Sequence, residues 1–322
     1  MNIFITGGTG FIGRHVIDLL QEDAEFNLVV LTRHNLDSQP RLSYVQGSLA
    51  DKELIDQSVS SADYVIHMAG CKDDPKSFIQ TNIEGTRNII AACCASKRLK
   101  KIIYLSSVGV IGKTDKIIVD EKTKCNPVNG YEKSKLIAEH IVRDYSLSNK
   151  GKVVILRPTN VFGENDPQKH LLNLFLKIKN GRFCFVGKNV QKFYLNYLYV
   201  GEISFLIKFL LKDKIKGNLY IINTPVRLDT FIKAVGENLG CDFAFSHLPY
   251  WPVKLAAFIG NFLSIFVGRR VPINSKKLAE LTNARQYSAL LLKNDLDWKP
   301  EFTIKEALAR LVSHYRQEGL LD

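Results

Sequence analysis

Several features that would place a chain early are missing from this sequence of 322 residues. Its six cysteines, Cys71, Cys93, Cys94, Cys125, Cys184 and Cys241, form no C-x-x-C pair and stand at no His/Cys zinc spacing. That excludes a zinc ribbon or a dithiol redox motif, and no bound metal is expected. Reduced thiols in a reducing compartment fit better. The amino terminus lacks a basic stretch followed by a long apolar one, so no secretory signal is read and a cytoplasmic location is expected. Internal repeats and low-complexity tracts are absent as well. No apolar run reaches the roughly 20 residues that a spanning helix needs. The nearest approach, Val253 to Gly268, is interrupted by Lys254 and Asn261 and ends at Arg269-Arg270. It is expected to form an amphipathic or buried helix beside a pocket. The second reading is a helix lying on a membrane surface, anchored by the two arginines.

Acidic residues are in deficit, 32 Asp+Glu against 44 Lys+Arg, which leaves a net charge of +12. Such a balance suits a polyanionic ligand, an anionic membrane or nucleic acid without choosing among them. The basic cluster Lys97-Arg98-Leu99-Lys100-Lys101 falls at a helix end before a strand. Cations there complement the helix dipole, and no nucleic-acid recognition module accompanies them, so nucleic acid is not expected as a partner.

What is present is alternation. Short apolar runs at Asn2–Thr6, Leu28–Thr32, Ser43–Gln46, Tyr64–His67, Lys101–Ser106 and Val153–Leu156 alternate with helical spacings such as Ile12, Val16, Leu19 and Leu20. Strand–helix–strand repetition predicts an α/β fold, a doubly wound parallel sheet of the Rossmann kind with right-handed crossovers. The alternation fades after Gly163. A strand over Tyr194–Tyr199, a helix over Gly201–Lys212 and a returning strand over Leu219–Ile222 are expected next, and mostly helix from Thr224. The predicted organisation is a dinucleotide-binding domain over 1–163 that returns near 190–223. A smaller, mostly helical substrate-binding region would occupy 164–189 and 224–322.

Directly after the first strand stands Thr6-Gly7-Gly8-Thr9-Gly10-Phe11-Ile12-Gly13. Gly7 permits a tight turn, Gly10 lets backbone approach a pyrophosphate, and Gly13 lets helix and strand pack closely. The helix that opens there offers free N–H groups to phosphates, with Phe11 and Ile12 in its first turn. An acidic residue about 20 positions on would bind the ribose 2′-hydroxyl of NAD. Here the second strand ends Thr32-Arg33, and an arginine there suits the 2′-phosphate of NADP. NADP is therefore expected, with NAD as the alternative.

Tyr131 and Lys135 stand four residues apart, on one face if the segment is helical. A free tyrosine has a pKa of about 10 and is a poor acid–base catalyst at neutral pH, whereas a neighbouring ammonium stabilises its phenolate. The fifth strand ends Tyr104-Leu105-Ser106-Ser107, and a serine at a strand's carboxyl end can hydrogen-bond a substrate carbonyl or alkoxide. Ser107, Tyr131 and Lys135 would then polarise one oxygen while hydride moves at its carbon.

These residues lie within TGGTGFIG (6–13), DYVIHMAG (63–70), NIEGTRNII (82–90), YLSSVGVIG (104–112), GYEKSK (130–135) and LRPTNVFG (156–163). Six motifs in this order resemble the extended short-chain dehydrogenase/reductase family, in its NAD-dependent epimerase/dehydratase branch. The likeness covers essentially the whole chain. In character it is closest to bacterial sugar-nucleotide epimerases and 4-keto reductases. It implies Tyr131 as general acid/base, Lys135 as the residue lowering its pKa and holding the nicotinamide ribose, and Ser107 as the carbonyl partner, with Ser106 the fallback. Met68, Ala69 and Gly70 would line the cofactor, Pro158 would abut the nicotinamide, and Asn82 would hydrogen-bond in or near the site. Asn160 would approach a substrate phosphate. A homodimer is implied, with the helix after Tyr131 (Leu136, Ile137, His140, Ile141) at its interface.

Departures from the pattern narrow the expectation. Ser48 stands where the family often has an acid near adenine, and Val200-Gly201-Glu202 replaces V-D-D. No Asp-Glu or Thr-Glu pair follows Ser107, where dehydratases carry an extra acid and base, so dehydration is not expected. The expected function is hydride transfer at C4 of a nucleotide sugar, by a 4-keto reductase or an epimerase. The alternatives are an NADPH-dependent reductase of an apolar or steroid-like ketone, and a dinucleotide-binding protein without catalysis.

Overall fold

The structure is a computed structural model. It describes residues 1–72, 74–149, 151–187, 189–212, 219–241, 246–267, 278 and 284–321. Gly268, Arg269, Arg270 and the Pro272–Ser275 stretch lie outside the described residues.

Seven strands form the central sheet: β1 (Asn2–Thr6), β2 (Asn27–Thr32), β3 (Leu42–Gln46), β4 (Tyr64–His67), β5 (Lys101–Leu105), β6 (Val153–Pro158) and β7 (Leu219–Ile222). Their order is β7-β6-β5-β4-β1-β2-β3, with every pairing parallel. The chain therefore winds one way from β1 and the other way from β4. A crevice opens where winding reverses, at the carboxyl ends of β1 and β4, and such crevices bind ligands in open α/β sheets. The register brings Thr6 and His67 side by side at that point.

Alternate strand residues feed the two faces of the sheet, as a period of two requires. Ile3 and Ile5 pack with helices α1 (Phe11–Gln21) and α6 (Val200–Lys212). Phe4, Val65 and Ile102 pack with α2 (Lys52–Ser60), α3 (Gly85–Ala95) and α4 (Gly130–Ser148) on the other side. A further cluster joins α5 (Leu172–Lys179), α7 (Leu228–Leu239) and α10 (Ile304–Gln317) through Phe175, Phe231 and Leu311.

Three places differ from the sequence expectation. The strand over Tyr194–Tyr199 is two short strands. Tyr194–Leu195 runs antiparallel to Val226–Arg227, and Tyr197–Tyr199 runs parallel to Asn160–Phe162. Buried Asn196 divides them: its amide donates to the Arg285 carbonyl, and its oxygen accepts from Asn223 and from the Tyr287 N–H. A side chain thus supplies bonds that a continuous ladder would have made. Secondly, Ala289, Leu292 and Trp298, expected in the substrate region, pack into the core of the α1 face. They include part of α9 (Leu290–Leu296), and Asp295 accepts a hydrogen bond from Tyr220 of β7.

Thirdly, the apolar segment forms the expected helix, α8 (Tyr250–Val267), but its exposed side is apolar as well as its packed one. Val253 and Ala257 face Val186 and Leu278, while Trp251, Leu255 and Phe258 are exposed. No helix among the described residues is long and apolar enough to cross a membrane.

Candidate active site

The glycine loop joins β1 to α1 at the crevice. Gly7 has φ +75°, a conformation that side chains disfavour, and a Cβ there would sit 2.5 Å from the Ala69 nitrogen. A Cβ on Gly13 would meet the Gly7 carbonyl at 2.1 Å and the Gly8 Cα at 2.6 Å. On Gly10 it would have one near neighbour, the Gly7 carbonyl at 3.3 Å. Gly7 and Gly13 therefore close the loop on itself, and Gly10 is left open to the outside. Gly10 caps α1 without a side-chain hydrogen bond, so the N–H groups of the first turn face outward with the positive end of the dipole. This cradle fits a dinucleotide pyrophosphate. Gly13→Ala is expected to cost about 1–3 kcal/mol of stability by overpacking. Gly10→Ala is expected to keep the fold and lose dinucleotide affinity. Thermal unfolding with and without dinucleotide separates the two, and equal destabilisation would contradict this division of roles.

At the end of β2, Thr32 is buried and its hydroxyl accepts from the His34 N–H at 3.2 Å, while Arg33 is exposed. Arg14, which the sequence reading passed over, donates to the Thr9 carbonyl at 3.0 Å. A groove of about 400 Å³ lies beside the loop, lined by Thr9, Arg14, His34 and Tyr44 among others. It sits at this end of the crevice, away from Tyr131. The Ser48 N–H is held by Asp51.

The loop after β4 carries Met68, Ala69 and Gly70, tied to β1 by the Met68 N–H on the Thr6 carbonyl at 3.0 Å. His67 is locked between the hydroxyls of Thr6, 2.6 Å from Nδ1, and Thr86, 2.9 Å from Nε2. Burial, with the positive charge of Lys135 nearby, lowers its pKa to about 3, so the imidazole stays neutral and braces the strand. Asn82 lies in a π-helical segment, Phe78–Glu84. Its amide donates to the Cys71 carbonyl and to Ser134 Oγ at 2.8 Å, and its oxygen accepts from the Cys71 N–H at 2.7 Å. It joins the β4 loop to the first turns of α4.

Asn129 caps α4 by accepting from the Glu132 N–H, which fixes where Tyr131 and Lys135 begin their face. Tyr131 is half-buried, with Phe78 edge-on at 6.2 Å between ring centroids. Lys135 is buried and donates to the Leu105 carbonyl at 2.8 Å, with Nζ 4.5 Å from the centre of the Tyr104 ring. A Cβ on Gly70 would be 3.9 Å from that Nζ. Ser107 is half-buried and accepts from the Gly109 N–H at 3.0 Å. Gly109 in turn lies against Glu132, so the Ser107 turn and the start of α4 are in contact. Ser106, by contrast, is buried and donates to Glu139 at 2.7 Å. Pro158 ends β6 and Asn160 follows it, exposed, on the same carboxyl side of the sheet.

Burial lowers the Lys135 pKa to about 7, against an opposing pull upward from Glu139. The unfolded chain then holds more protons at this residue between about pH 7 and the ordinary lysine value near 10.4, so stability rises with pH across that window. Lys135→Met removes the effect. The gap in unfolding free energy between wild type and variant is therefore expected to shift toward wild type from pH 7 to 10, and a constant gap would refute it.

Sequence reading missed the layer beneath. Glu139 is fully buried, one turn beyond Lys135, and forms a two-pronged pair with Arg157 at 2.5 and 2.9 Å. Arg157 also reaches Cys125 Sγ at 3.4 Å. The signal available was an acid at i+4 from Lys135, indistinguishable in sequence from a surface pair. Several cations, three of them from the basic cluster at 97–101, have structural partners. Arg98 and Lys100 pair with Asp63, Lys101 donates to the Leu210 carbonyl, and Arg285 donates to the Thr114 carbonyl. Among the described residues no cluster of His, Cys, Asp and Glu could hold a metal ion.

The model of the NAD dependent epimerase/dehydratase family matches residues 3–222. The chain belongs to that family of enzymes. A relative from Escherichia coli O157:H7, N-acetyl-alpha-D-glucosaminyl-diphospho-ditrans,octacis-undecaprenol 4-epimerase, is 27% identical across 97% of this chain and 95% of its own. The human dTDP-D-glucose 4,6-dehydratase is 24% identical across 98% of this chain and 90% of its own. Among solved structures, the UDP-glucuronic acid 4-epimerase of Bacillus cereus in complex with NAD superposes with a TM-score of 0.73 at 18% identity, covering 99% of both chains. That likeness is one of fold.

Proposed function

We propose that the protein is a 4-epimerase of a diphosphate-linked sugar, using a bound nicotinamide dinucleotide and the set Ser107, Tyr131 and Lys135. The observation that supports this reading is that the Ser107 turn lies against the start of α4, the helix that carries Tyr131 and Lys135, and that Lys135 Nζ lies beside Gly70 of the β4 loop. Gly7, Gly10, Phe11, Ile12 and Gly13 would hold the pyrophosphate, Met68, Ala69, Gly70 and Pro158 the nicotinamide side, and Asn82 the loop between them. The dinucleotide, when bound, accepts and returns hydride at the sugar carbon. Tyr131 takes the proton of the C4 hydroxyl and gives it back, Ser107 hydrogen-bonds the same oxygen, and Lys135 favours the tyrosinate. Asn160 would face the diphosphate. Val108-Gly109-Val110 after Ser107 offers no carboxylate, which speaks against the elimination of water named for the dehydratase relatives.

A second reading, 4-keto reduction with NADPH, rests on the β2 terminus. Thr32 stands where an acid would bind the 2′-hydroxyl, and the exposed Arg33 suits a 2′-phosphate. Denaturing the purified protein and identifying any released nucleotide separates the two. Retained NAD, in place of the NADP that Arg33 leads us to expect, together with interconversion of C4 epimers of a sugar diphosphate followed by NMR, is the expected result for an epimerase. An empty protein that prefers NADPH to NADH and reduces a 4-keto sugar would replace epimerisation with reduction. Absence of any change at C4 overturns both.

A further inference from the structure

Helix α8 and the residues just before it expose an apolar surface of unusual density. Leu248, Tyr250, Trp251, Leu255 and Phe258 are all exposed, the last three by 71%, 53% and 71%. Elsewhere among the described residues, exposed large apolar side chains stand singly or in pairs along the chain. Trp251, Leu255 and Phe258 follow the spacing i, i+4, i+7 and so form one stripe, opposite Val253 and Ala257, which face the interior. Lys254 is exposed on the same helix.

Along the sequence, the segment that carries this stripe has charge of one sign. Between Asp242 and Glu280 the sequence holds no aspartate or glutamate, while Lys254, Arg269, Arg270, Lys276 and Lys277 stand within it. The whole chain carries +12. An aromatic and aliphatic stripe in a basic, acid-free segment is the pattern of a helix that lies in a lipid interface, its apolar side chains among the acyl chains and its cations at anionic headgroups. No helix among the described residues is long and apolar enough to cross the bilayer, so the question is one of surface contact.

We propose that the Trp251–Leu255–Phe258 face of α8 docks the enzyme on an anionic phospholipid bilayer. Docking would bring the crevice to sugars whose diphosphate is carried by a membrane lipid, the kind of molecule named for the Escherichia coli relative. This last consequence rests on the function proposed above, whereas the docking itself does not.

Vesicle binding tests it with the full-length, dinucleotide-loaded protein. Vesicles of phosphatidylcholine containing phosphatidylglycerol are compared with phosphatidylcholine alone by co-sedimentation, and tryptophan emission is recorded. The chain has two tryptophans, and Trp298 is buried, so a change in emission reports Trp251. The expected result is binding to the anionic vesicles, weakened by salt, with a blue shift. The double variant Trp251→Ser/Phe258→Ser is expected to bind about tenfold or more weakly. Its melting temperature should be unchanged, which shows that it is folded. Failure of wild type to bind at low salt overturns the proposal, as does equal binding by the variant. So does a wild-type dimer that the variant dissolves, since the stripe would then face a second copy. Bound protein that turns over no sugar removes the function proposed above and leaves docking standing.

Discussion

Tyr131→Phe is expected to lower kcat by about 10²–10⁴-fold, the usual contribution of a positioned acid–base group. The ring and its edge-on contact with Phe78 remain, so melting temperature and dinucleotide affinity should hold. Steady-state kinetics on the interconverted sugar, with a parallel dinucleotide titration, measures all three. A fall shared equally by kcat and kcat/KM marks an interaction made in the transition state. If activity persists within a few-fold, Tyr131 carries no proton, and the proposed set of Ser107, Tyr131 and Lys135 fails with it.

The second large effect concerns stability. Glu139→Ala leaves the Arg157 guanidinium, 1% exposed, without its counter-charge, and also removes the acceptor of the Ser106 hydroxyl. Breaking one side of a buried ion pair costs about 3–5 kcal/mol. For a protein of this size that corresponds to a fall in melting temperature of roughly 10 °C. Glu139→Met/Arg157→Met removes both charges and is expected to be more stable than Glu139→Ala, because no orphaned ion remains. Differential scanning calorimetry on the two variants decides it. A double variant as unstable as the single one would show that packing volume, and not charge, sets the cost. Because Lys135 stands one turn before Glu139 and Ser106 adjoins Ser107, this pair also braces the residues assigned to chemistry.

How far the sequence could be read depended on the range of the interactions involved. Strands β1, β2, β4, β5 and β6 were legible because a buried parallel strand is a nearly continuous apolar run, bounded by the turns that its crossovers require, and the edge strand β3 from its place in the alternation. The glycine loop was legible because three glycines at fixed spacing after a strand answer local demands: a positive φ at Gly7 and contact of Gly13 with the Gly7 carbonyl. Tyr131 and Lys135 could be paired from a helical repeat alone. Ser106 and Ser107 could not be told apart in this way. They are neighbours in sequence, and only α4, packed against the end of β5, gives Ser106 a buried carboxylate partner and leaves Ser107 half-exposed.

The division between the two sources of information follows the same line. The sequence by itself determined the parallel α/β fold, the phosphate-binding loop and the spacing of tyrosine and lysine, because each is governed by contacts within a few residues. Tertiary structure alone decided which cations are engaged: Arg98 and Lys100 find Asp63, and Lys101 finds a carbonyl of α6, all far away along the chain. It alone set Arg157 against Glu139 and turned the Trp251 stripe outward. Charge and hydrophobicity state what a residue can do, whereas burial and partners, set by distant segments, settle what it does.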